Sequence, residues 1–336
     1  MGTKDANGAT AAAAPKKPSK SPEELASAIS AIDFNSGSAS GQVSVLDALR
    51  EEGSLELYKS ATVENAKALG AGATDLRNYP VSLSMLETRS GLTAEKLGIG
   101  EEEVSLDDFK YGTLWVTGGC TVGGVAALAF LPENIGATVC YFLVLIPILW
   151  LAVGSTVPAL IANLLLVVRG NDDDGEVDKT ERICRHEAAH FMTGYLCGLP
   201  VANYATAADS DIPRVEFHYS ADEDANIPTV ATAPQRELTM EEVNALTVVA
   251  MSGAVAESVA YGKAKGGASA DLIELQNIFR RSKQFLGAEK QQEMTRWGAL
   301  TSYRLLNTHK TKLDALAVAF SQKKSIAECV AILEQK

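Results

Sequence analysis

The chain has 336 residues and a net charge of −12. The length suits about two domains, and the charge argues against nucleic-acid binding, which needs a basic face. Five cysteines (Cys120, Cys140, Cys184, Cys197, Cys329) without any CxxC spacing do not resemble a disulfide framework or a thiolate zinc site, and favour a reducing compartment.

Residues 1–20 are rich in Ala and Lys and read as a disordered tail. No apolar core follows the basic residues, so a secretory signal is not expected. Ser21-Pro22-Glu23-Glu24 has the pattern of a helix start, with Ser as cap and Pro at the first position. Helices are predicted near 22–32, 43–52 and 55–69, the last two followed by Gly53 and Gly70. Together with the turn-rich stretch to Lys110, which holds the acidic run Glu101–Glu103, they form an expected small helical region over 21–110. It is read as a structural appendage.

Gly112 to Leu131 is a run of 20 residues without a charge, and Gly136 to Val168 a run of 33. About 20 apolar residues cross a bilayer, so the first run predicts one span. The second is too long for one straight span and has Pro147, Gly154 and Pro158 as places to kink or break. The two runs define a transmembrane hairpin over 111–169. Lys110 and Arg169 flank it, and the short connection Pro132–Ile135 has no basic residue, so both large flanks are expected on the cytosolic, matrix or stromal side. An acidic linker, Asn171–Gly175, leads into the next helix.

That helix carries His186-Glu187-Ala188-Ala189-His190, two of the four histidines in the chain. Residues i and i+4 share a helix face, so both imidazoles can reach one ion. This is the HExxH zinc pattern, with Glu187 placed as the general base acting on a metal-associated water. Thr180 is the predicted cap, and Gly198, Leu199 and Pro200 end the helix. Downstream, Arg214 to Tyr219 alternates, with Val215, Phe217 and Tyr219 on one face of a predicted strand. The rest of 201–238 reads as irregular. Thr239-Met240-Glu241-Glu242 is a capping box opening a helix to about Tyr261, with Gly262 beyond it. Further helices are predicted from near Ser269, over about 288–307, and after Ser325.

Two histidines do not close a catalytic zinc site; a third protein ligand is required. The downstream acids and His218 are the candidates, with Glu257 on the following helix among them as ligand or supporting acid. Ser252-Gly253-Ala254-Val255-Ala256-Glu257-Ser258-Val259-Ala260-Tyr261-Gly262 is similar to the helix after the zinc helix in FtsH-type membrane zinc peptidases. Gly266-Gly267-Ala268-Ser269-Ala270-Asp271-Leu272 then resembles the third-ligand segment of that family. The resemblance covers about 178–307 plus the two-span anchor, and it departs from the family pattern at Ala189 (usually Gly) and Ala270 (usually Asn). It implies that Asp271 completes a Zn²⁺ site with His186 and His190, and that the Val215–Tyr219 strand borders the cleft and pairs with extended substrate.

No G-x-x-x-x-G-K-[ST] motif occurs in the sequence, so no ATP is expected. The chain is most similar to motor-less chloroplast relatives of FtsH. The expected fold is mainly α: a transmembrane helical hairpin plus an α-helical zincin-type domain over 178–336 with one or two short strands. The implied function is a membrane-anchored, ATP-independent zinc metalloendopeptidase acting on membrane-proximal or unfolded proteins, in a thylakoid or inner-envelope membrane with a stromal peptidase domain. The alternative is a non-proteolytic subunit or assembly factor of a membrane complex that keeps the peptidase fold.

Overall fold

The computed structural model describes residues 22–32, 39–69, 73–99, 106–156, 179–205, 214–219, 236–265 and 268–335. The expected tail, the Ser21 cap, Gly70, the Glu101–Glu103 run, the end of the second apolar stretch, the acidic linker and most of 206–235 lie outside these residues. The chain divides into two compact units. One comprises residues up to Thr93 together with Lys179–Lys336, the other Ala94–Asp178.

In the first unit, helices α1 (Pro22–Ser30), α2 (Ala39–Glu51), α3 (Val63–Leu69) and α4 (Leu83–Ser90) precede the second unit in the chain. The unit resumes with α7 (Lys179–Cys197), strands β1 (Val201–Ala205) and β2 (Arg214–Phe217), α8 (Met240–Tyr261), α9 (Ala268–Arg280), α10 (Ala288–Thr308), α11 (Lys310–Ser321) and α12 (Ile326–Glu334). Its centre is α8, buried without interruption from Val243 to Ser258 and packed on α7, α9 and α10. A helix apolar on every side stays in solution only inside a core. The capping box of Thr239 and Glu242 sets its start, and Gly262, at φ 82°, its end. Against α10, Gly298 lets the backbones approach: a Cβ there would sit 2.7 Å from Thr247 Cγ2.

Up to Thr93, the stretch read as an N-terminal appendage is instead part of this unit, and its remainder from Ala94 falls in the second. Lys59 and Ala61 donate their backbone N–H groups to the carbonyls of Tyr195 and Leu196 at the end of α7. The Gln42 side chain pairs with both backbone groups of Val201, at 2.8 and 3.0 Å. Trp297 Nε1 and Arg296 Nε of α10 donate to the carbonyls of Arg77 and Val81. Near the C-terminus, Glu334 accepts from the successive backbone N–H groups of Glu56, Leu57 and Tyr58 and from the Tyr195 hydroxyl. Such long-range pairs carry no local sequence signal, which is why composition alone suggested a separate region.

Other expectations shift in detail. The helix predicted over 55–69 forms only from Val63, with turns before it, and α7 starts at Lys179, so Thr180 lies inside the helix rather than at its cap. Gly198 ends α7 in the left-handed region, at φ 77°. β1, α4 and α11 had not been expected from the sequence. Strand β1 pairs antiparallel with β2, with Tyr204 opposite Val215.

The second unit holds α5 (Leu106–Phe130) and α6 (Glu133–Thr156), which pack on each other. Close approach is needed at Gly136, where a Cβ would lie 2.6 Å from the Ala127 carbonyl oxygen. Gly123 faces Leu143, Gly124 faces Cys140, and Trp150 Nε1 donates to Thr113 Oγ1 at 3.1 Å. These partners run in opposite directions along the two helices, as a hairpin requires. Pro147 is accommodated within α6.

Among the described residues three helices are long and apolar enough to cross a membrane: 110–130, 133–153 and α8. They differ in burial. The apolar windows of the first two are 11% and 6% buried, while that of α8 is 83% buried. The side chains of α8 form the core of the first unit. Those of the hairpin, such as Trp115, Phe130 and Tyr141, are exposed, and apolar surface on this scale calls for a nonaqueous partner.

Candidate metal centre

The site is built on the inner face of α7, where α8 and α9 meet it. His186 and His190 are one turn apart and both buried, at 5% and 8% exposure. Their Nε2 atoms lie 3.0 Å from each other. Asp271, in the first turn of α9, completes the group: Oδ2 lies 3.1 Å from His186 Nε2, and Oδ1 lies 3.5 Å from His190 Nε2. One ligand atom from each residue falls within 4.8 Å of the others, so the three can hold a metal ion. The three residues anticipated as a set are therefore together in space.

Hydrogen bonding around the histidines decides which nitrogen is free. His186 Nδ1 is 2.7 Å from Glu257 Oε1, and His190 Nδ1 is 2.8 Å from the Val249 carbonyl oxygen. Both partners are acceptors, so both Nδ1 atoms carry hydrogen. In the neutral rings the Nε2 lone pairs therefore face each other, with a carboxylate beside them. Such a set is repulsive unless a cation sits among it. In keeping with this, Asp271 Oδ2 is buried and accepts no hydrogen bond from the protein. The donor set, two imidazoles and one carboxylate, suits a divalent metal of intermediate softness.

Without a metal, a proton takes the cation's place. Burial would lower the pKa of His186, but the Asp271 and Glu257 carboxylates outweigh it and push the value up to about 10. Burial likewise opposes ionisation of Asp271, yet His190 and His186 hold its carboxyl well below the usual range. A raised folded-state pKa stabilises the metal-free protein fully below the unfolded value of 6.5, and that contribution is lost as pH rises through about 10. Metal must displace this proton. Affinity is therefore expected to rise about tenfold per pH unit between roughly 7 and 9, with one proton released per metal bound. Titration calorimetry in buffers of different ionisation enthalpy measures the release; buffer-independent heats would contradict it.

Glu257 is not one of the converging ligands; it orients one. Only 3% exposed, it holds His186 through Oε1. Its Oε2 accepts from the Lys265 N–H at 3.1 Å and lies 3.3 Å from Arg182 Nη2. Arg182 in turn donates to the Lys263 carbonyl. One carboxylate thus fixes a ligand ring and the start of the segment that leads to Asp271. Carboxylates behind ligating histidines typically contribute 10- to 100-fold in metal affinity. Glu257→Gln is expected to weaken metal binding by about that factor, read by competition with a fluorescent chelator. An unchanged affinity would show that Glu257 has no orienting role.

Several contributors had been given no role of their own in the sequence. Gly253 of α8 faces the ring of His186, and a Cβ there would lie 2.4 Å from Nε2. Ser252 Oγ donates to the Val249 carbonyl and lies 3.2 Å from His190 Nδ1. Thr193 donates to Ser252 at 3.0 Å. Ala189 is fully buried and Ala270 is exposed.

Glu187 points to β2, where its Oε2 accepts the Val215 N–H at 2.8 Å. Val215 is buried, and the Phe217 ring covers Gly194 of α7, so β2 lies along the HExxH helix. Tyr219 departs from expectation. The strand stops at Phe217, the His218 N–H turns to the Pro200 carbonyl, and the Tyr219 ring lies 4.1 Å from the Arg281 guanidinium. His218 is not in the cluster.

Comparison with known protein families, curated proteins and solved structures finds no match. Fold and site together define a mainly helical protein with a buried His–His–Asp group able to hold a metal ion, and two further helices able to span a membrane.

Proposed function

We propose that the protein is a membrane-anchored, ATP-independent zinc metalloendopeptidase of FtsH-like type. It would be held by the α5–α6 hairpin and act on unfolded or membrane-proximal segments of other proteins. The observation that carries the reading is the convergence of His186, His190 and Asp271 beside a glutamate that follows the first histidine directly. His186, His190 and Asp271 would hold Zn²⁺, which supplies a Lewis acid and an acidified water when bound. Glu187 takes a proton from the attacking water at its carboxylate as the water oxygen bonds to the peptide carbonyl carbon. It then delivers that proton to the amide nitrogen as the C–N bond breaks. The buried Glu257 and the Val249 carbonyl keep both imidazoles in the tautomer with Nε2 free.

The FtsH-like sequence motifs support this reading, and by the same resemblance we place the protein in a thylakoid or inner-envelope membrane with the site on the stromal side. Its partners are then unfolded proteins of that membrane. The test is metal content and hydrolysis measured together on the full chain in detergent. One zinc per chain and chelator-sensitive cleavage of an unfolded substrate such as casein are expected. Wild-type protein that binds no zinc and cuts nothing would overturn the proposal.

A further inference from the structure

The contact between Glu187 and β2 falls at the point where a substrate strand would have to pair. In the β1–β2 ladder, Arg214 lies opposite Ala205 and Glu216 opposite Asn203, with Val215 and Tyr204 between them. Residues along an antiparallel strand alternate between pairing with one neighbour and facing the other side. The Val215 N–H donates to Glu187 rather than to β1, so Val215 directs its backbone to the edge of β2 that faces α7. Among the described residues, no strand pairs with that edge. A peptide adding to it in extended form would offer a carbonyl to the same N–H. One donor cannot serve both the carboxylate and the peptide with full strength.

We propose that Glu187 and an extended substrate compete for the Val215 N–H, so that Glu187 is latched to β2 at rest and strand addition releases it for proton transfer. This rests on the peptidase reading for what Glu187 does once released, but the competition itself is a property of the binding site. It gives the site a selection rule: a peptide is processed when its backbone is extended and free to pair, because only such a peptide takes the donor from the base. A compact or helical segment, whose carbonyls are already paired, leaves Glu187 latched.

The competition can be measured without turnover. The full chain in detergent is stripped of metal by a chelator, and the affinity of a fluorescein-labelled peptide of alternating Val and Lys, long enough to pair along β2, is read by anisotropy. Removing the carboxylate frees the donor, so Glu187→Ala is expected to bind about tenfold tighter than wild type, the scale of a hydrogen bond to a charged group. Val215→Pro removes the donor while sparing the β1 ladder, which does not use it. It is expected to bind weakly, and adding Glu187→Ala to it should bring no gain. Hydrogen exchange gives a second reading: the Val215 amide should exchange faster in Glu187→Ala than in wild type, and slow again on adding the peptide.

Equal affinities for wild type and Glu187→Ala, or a tightening that survives in Val215→Pro, would overturn the latch. A zinc-loaded protein that shows the binding pattern but cuts neither the peptide nor casein would support the latch and overturn the peptidase reading.

Discussion

Glu187→Gln is expected to lower the turnover number for casein by about 10²- to 10⁴-fold while bound zinc stays at the wild-type level. The argument has two parts. Glutamine cannot take up a proton at the attacking water, so the acid–base contribution is lost. Its side-chain oxygen can still accept the Val215 N–H that Glu187 accepts at 2.8 Å, so β2 keeps its place and the three converging ligands are untouched. Metal analysis and steady-state kinetics on one preparation check both. A variant that cleaves at the wild-type rate removes Glu187 from the mechanism, and one that also loses zinc shows that the residue is structural. A non-proteolytic subunit would be indifferent to the change.

Gly253→Ala should damage the metal site from the opposite helix. The added Cβ would fall 2.4 Å from Nε2 and 2.5 Å from Cε1 of His186. The ring has nowhere to retreat without breaking its 2.7 Å bond to Glu257. Relief must come from separating α7 and α8 or from turning the ring away from the cluster. Overpacking of this kind costs about 1–3 kcal/mol. Zinc affinity should fall by the roughly 10- to 100-fold that a lost orienting partner costs. Chelator competition and thermal unfolding report the two effects separately. Wild-type affinity in this variant would mean that His186 does not depend on the packing seen here.

Much of the site was legible in the chain because its parts are local patterns. His186 and His190 share a helix face by spacing alone, and Thr239, Glu242 and Gly262 mark the ends of α8 by their own chemistry. Asp271 was reached only through the resemblance of Gly266–Leu272 to a ligand segment. No spacing rule connects it with His186 across the intervening chain. The strand at Val215 and Phe217 was visible as alternation, but its partner β1 was not, because Val201–Ala205 has no alternation strong enough to stand out. Lys310–Ser321 was missed as a helix for a similar reason: it begins at His309, which offers no side-chain cap.

By itself the sequence determined the mainly helical character, the two uncharged stretches and the pair of histidines around Glu187. These follow from hydrophobic period, length and side-chain chemistry within a single segment. Only the tertiary structure decided the rest. It distinguished α8, an apolar helix buried at the centre of a domain, from two helices at least as apolar whose surfaces are left uncovered among the described residues. It joined the N-terminal segment to the helix that bears the histidines, through backbone pairs such as Ala61 with Leu196. It also assigned Glu257 to the back of His186 and the Val215 amide to Glu187. Each of these is a contact between residues distant in the chain, set by which faces pack together, and a linear pattern does not encode that.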